Sequence, residues 1–81
     1  MSSWKIKAKK VIKNFEKENE EKHPIFYTIL ETYDNYGSFY DAMEKECVKI
    51  LKERNDDIEG WIFATLMFQL DEECMTEHGV I

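Results

Sequence analysis

Cys74 and His78 stand four residues apart, so on a helix they project from one face at a spacing that can chelate a metal. Cys47 and His23 are the donors left to complete a tetrahedral zinc site. The chain has no Cys-x-x-Cys or His-x-x-x-His pair, the spacing typical of a structural zinc site. The sequence therefore predicts two buried, reduced thiols and two surface imidazoles, with no metal and no cofactor. A Cys–His nucleophile pair needs an exposed, activated thiolate. Cys47 instead shares an apolar helical stripe with Tyr40, Met43, Ile50 and Leu51. Carboxylates are too dense for any one pair to stand out, and no glycine-rich loop is present to cradle a phosphate. The chain is expected not to be an enzyme.

Two sets of residues suit binding instead. Six aromatics fall within fifteen residues: Phe26, Tyr27, Tyr33, Tyr36, Phe39 and Tyr40. Phe26 fits an inward stripe. Tyr27, Tyr33, Tyr36, Phe39 and Tyr40 form the candidate partner-binding group around Gly37, since aromatic rings give large contact area at low entropic cost. The second set is Lys5, Lys7, Lys9, Lys10 and Lys13, a candidate face for an anionic ligand such as nucleic acid or a nucleotide. Arginine, the usual choice for forked phosphate contacts, is absent from it. Acidic clusters at Glu16, Glu18, Glu20 and Glu21 and at Asp71, Glu72, Glu73 and Glu77 are read as solvated surface rather than as mimicry of nucleic acid.

The elements that hold these residues read as helices. One proline and three glycines in 81 residues leave few breakers. The organising stretch is Trp61–Leu70, apolar but for Thr65 and Gln69. Too short to span a bilayer and apolar all round, it predicts a central helix buried on every side, with Trp61 in the core beside Ile58 and Ile62. Upstream, Trp4, Ala8, Val11, Ile12 and Phe15 share one arc of a first helix capped by Ser2 or Ser3, with Ile6 outside the arc and the lysines around the remaining surface. Lys17–Glu21 and Glu18–Lys22 are i,i+4 pairs near its end. Pro24 opens a second segment with Phe26, Ile29, Leu30 and Tyr33 inward, and Gly37 suits its C-terminal stop. Strand is the alternative over 25–36, because β-branched and aromatic residues are common there. Ser38 with Asp41 reads as the cap of a third helix, which Asp41 and Glu44 at its start and Lys49, Lys52 and Arg54 at its end suit electrostatically. Asn55 is its stop. Asp56 with Glu59 caps the fourth, in which Gly60 leaves room for another helix, and His78 and Gly79 end it. The expected fold is all-α, a bundle of about four helices over 4–21, 24–36, 39–54 and 57–77, in a single domain spanning 1–81.

The net charge of −6 conceals a division. Residues 1–22 hold seven Lys against four Glu, +3; the rest hold four Lys or Arg against thirteen acids, −9. Neither a leader peptide nor a membrane span is legible, and two thiols without a partner nearby suit the cytoplasm. The expected function is protein binding: a small acidic adaptor or inhibitor that occupies a partner's surface, of a composition that suits a bacteriophage accessory protein, with homo-oligomerisation open. The alternative is nucleic-acid or nucleotide binding through the lysines of the first helix.

Overall fold

Five apolar side chains at helical spacing draw the first helix onto the rest of the chain, and all five are buried: Trp4, Ala8, Val11, Ile12 and Phe15. A computed structural model describes residues 3–54 and 60–77. They form α1 (Ser3–Asn19), α2 (Pro24–Thr32), α3 (Tyr36–Arg54) and α4 (Gly60–Glu77), and no strand occurs among the described residues. The all-α bundle is thus the fold, and helix rather than strand holds over residues 24–32. The main packing pair is α1 with α4, closed by α2 and α3. The expected cap at Ser2, stop at Asn55, Asp56–Glu59 box, burial of Ile58 and ending at His78 and Gly79 lie outside the described residues.

Helix α1 stops at Asn19, two residues before the expected end. Glu20 takes a left-handed φ of 53°, and the Glu21 amide donates to the Glu16 carbonyl at 3.1 Å, the six-to-one bond of a Schellman ending. Glu21 has therefore left the helix, so neither expected i,i+4 pair forms on α1. Glu21 meets His23 and Arg54 instead.

Helix α2 opens on Pro24, whose missing amide proton costs nothing at the first position. It ends at Thr32, four residues short of expectation, because the next helix starts earlier than Ser38. Asn35 is the cap: its side-chain oxygen accepts from the Ser38 amide at 3.1 Å. Gly37 accordingly lies in the first turn of α3, not at the end of α2. A Cβ there would come within 3.1 Å of the Asn35 side-chain oxygen, so glycine leaves room for the cap. With the start moved to Tyr36, the first turn of α3 holds no acid, contrary to the electrostatic expectation.

The largest departure is in α4. Phe63, Leu66, Met67, Leu70 and Cys74 are buried on one side, but Trp61 is 68% and Phe68 65% exposed. The apolar run is covered on one face only, and the core tryptophan is Trp4, 3% exposed. A chain this short has too few helices to surround one of them. Among the described residues nothing lies within 4 Å of where a Cβ on Gly60 would stand, so none of the other three helices approaches it.

Candidate partner-binding surface

The aromatic group around Gly37 is mostly structural. Phe39 is fully buried, its ring 5.2 Å from that of Trp4. Tyr36 stacks edge-on against Trp4 at 5.4 Å, and its hydroxyl donates to Asp71 Oδ1 at 2.7 Å. Burial and that hydrogen bond push the phenol far above its ordinary pKa. Tyr40 packs half-buried beside Tyr36. Tyr27 is also half-buried and donates to Glu16 Oε1 at 2.7 Å; burial and this carboxylate raise its pKa to about 12. Tyr33, expected on the inward stripe, is exposed. The hydroxyls of Tyr27 and Tyr36 thus tie α2 to α1 and α3 to α4.

The lysines are less evenly spread than their sequence suggests. Lys5, Lys9, Lys10 and Lys13 line one open groove between α1 and α2, of about 1080 Å³, over Ile6, Tyr27 and Leu30; Lys7 is not among its lining residues. Glu31 and Asp34 stand in the same groove, and Lys5 Nζ lies 3.4 Å from Asp34 Oδ1.

His23 corrects the expectation of two surface imidazoles, since it is 7% exposed. Its ring stacks on Phe26 at 4.9 Å and meets Phe15 and Phe63. Nε2 lies 3.0 Å from Glu21 Oε1, and the His23 amide donates to Glu16 Oε2 at 2.6 Å. Burial pulls the imidazole pKa below its usual value; Glu21 opposes this and Arg54 adds to it. For Glu16 burial acts upward, but the hydrogen bonds from His23 and Tyr27 outweigh it and hold the carboxyl low. Cys47 and Cys74 are buried and unpaired as a disulfide, and burial raises the Cys47 thiol to about 12, the opposite of activation. Cys74 Sγ donates to the Trp4 carbonyl at 3.5 Å. Among the described residues no three His, Cys, Asp or Glu gather to hold a metal; His78 lies outside them.

What sequence reasoning missed is the outer face of α4. Trp61, Ala64, Thr65 and Phe68 are exposed there and Met75 is half-buried. At 100° per residue Trp61, Phe68 and Met75 fall within one narrow row, opposite Phe63, Leu66, Met67 and Leu70. The run carries two stripes, and splitting it at seven-residue spacing separates them. Single exposed apolar residues are ordinary, but Trp61 and Phe68 put two large, two-thirds exposed aromatics in one row. No family model matches the chain, and no curated protein or solved structure matches it either. Among the described residues, no helix is long and apolar enough to cross a membrane.

Proposed function

We propose that this protein is a small binding module, an adaptor or inhibitor, that recognises another protein through the outer face of α4. The observation that carries the reading is the pair Trp61 and Phe68, two large aromatics held two-thirds exposed on the side of a rigid helix that faces away from the core. Exposed aromatic clusters of this kind mark contact sites, and Trp is among the residues that most often dominate a contact. A cytoplasmic setting suits its two free thiols, and the Lys, Glu and Asn content suits a bacteriophage accessory factor. The test is affinity capture with mass spectrometry, comparing the parent with a Trp61→Ser/Phe68→Ser double variant. Specific partners lost by a variant of unchanged melting temperature support the reading; identical partner sets refute it.

The groove between α1 and α2 favours a second reading, recognition of an anionic ligand by Lys5, Lys9, Lys10 and Lys13. Phosphate-driven binding weakens steeply with salt, whereas burial of aromatic surface does not. Titration of an oligonucleotide at two salt concentrations separates the two readings.

A further inference from the structure

Helix α1 buries one arc and offers another. At about 100° per residue Ile6 and Lys13 fall opposite Trp4, Val11 and Phe15, with Lys9 to one side of them and Lys10 to the other. This second arc is the α1 wall of the groove against α2. Ile6 is 48% exposed at its centre, and Leu30 and Tyr27 continue the apolar floor. Lys5 is occupied by Asp34, 3.4 Å away, so those two charges cancel. The side chains of Lys9, Lys10 and Lys13 are exposed and form no ion pair or hydrogen bond among the described residues, and the same holds for Glu31 on the α2 side. Cations therefore line one wall, a carboxylate stands on the other, and an exposed apolar side chain lies between them. That pattern selects a ligand with two unlike edges. A strand of nucleic acid repeats one charge, and filling the groove sets its phosphates against Glu31 and Asp34 as well as against the lysines. An amphipathic helix carries different residues on its two edges and an apolar row between them. Lys9 and Lys13 are about 6 Å apart along the α1 axis, the rise at which acids four residues apart recur on a partner helix. We infer that the α1–α2 groove binds an amphipathic helix of a partner protein, with its apolar row over Ile6 and Tyr27, acids on the edge that meets Lys9, Lys10 and Lys13, and a basic residue on the edge that meets Glu31. The inference rests on the reading of these lysines as a site for an anionic ligand and does not depend on the α4 face.

The test is fluorescence anisotropy of labelled probes titrated with the full chain at low salt. Two probes are helical peptides of about 15 residues that share a leucine row, one with glutamate on one edge and lysine on the other, one with lysine on both edges. The third is a single-stranded oligothymidylate. Two double variants carry the same change in net charge: Lys9→Glu/Lys13→Glu in the groove, and Lys45→Glu/Lys49→Glu at exposed positions of α3 outside it. The expected result is saturable binding of the mixed-edge peptide alone, kept by Lys45→Glu/Lys49→Glu and at least about tenfold weaker for Lys9→Glu/Lys13→Glu, because reversal turns attraction into like-charge repulsion at two contacts. Ile6→Ser, which alters no charge, is expected to weaken it several-fold through loss of apolar contact. The inference is overturned if the mixed-edge peptide does not bind, if the all-lysine peptide binds equally, if the two double variants weaken binding alike, or if Ile6→Ser binds as tightly as the parent. Binding of the oligothymidylate instead, lost in Lys9→Glu/Lys13→Glu, overturns the helix and leaves the anion site standing. Failure of all three probes overturns both.

Discussion

The two tryptophans exchange the roles their neighbourhoods in sequence suggest. Trp61 sits in the densest apolar stretch and is exposed; Trp4 sits among lysines and is buried against Tyr36 and Phe39. Trp4→Ala is expected to cost about 3–5 kcal/mol, a large share of a small domain's stability, measured by denaturant titration. His23 gives a second expectation. Its imidazole is buried among rings, so its folded pKa lies below the unfolded value near 6.5. The unfolded chain then binds the extra proton, and stability falls as pH drops below about 6.5. Glu16, whose folded pKa is also depressed, contributes stability present above about pH 4.5 and lost as pH falls further. Denaturation midpoints across pH 7 to 4 are expected to decline from the upper end of that window. The His23→Gln variant is expected to lose the decline above pH 5 and keep the one below it.

At the scale of elements, helix ends differ more from expectation than helix faces do. Asn35, not Ser38, caps α3, so Asn35→Ala is expected to cost about 1 kcal/mol and Ser38→Ala little, a contrast that thermal melts of both variants resolve. Glu20 holds a left-handed φ that glycine adopts freely, so Glu20→Gly is expected to stabilise the fold by about 0.5–1 kcal/mol, raising the melting temperature by a few degrees. The stripes were legible: Trp4 to Phe15, Phe26 to Leu30 and Met43 with Cys47 are inward as their spacing requires. Ends were less so, because Ser38 and Asn35 both suit a cap and the choice turns on tertiary packing of Tyr36 and Phe39. The candidate site was least legible. Hydroxyl partners such as Asp71 for Tyr36 lie thirty-five residues away, which no local pattern records. A run apolar on all sides also conceals which of its stripes the rest of the chain covers.

At the scale of the molecule, the fold separates three surfaces. Lysines gather in the α1–α2 groove, a polar cluster of Glu16, Glu21, His23, Tyr27 and Arg54 locks α1, α2 and α3 together, and the outer face of α4 carries the apolar row. The same polarity appears in the charge, +3 over residues 1–22 against seven acids and no Lys or Arg after Arg54. The whole reading depends on Trp61 and Phe68 being uncovered in the folded monomer. The most direct measurement is the thermal melt of the Trp61→Ser/Phe68→Ser double variant beside the parent, at a dilution where both sediment as monomers so that association does not add to stability. A folded double variant melting within about 5 °C of the parent is the predicted result, since surface substitutions away from the core change stability by no more than about 0.5 kcal/mol each. Loss of the cooperative transition would show that both rings lie in the core, and would contradict the account.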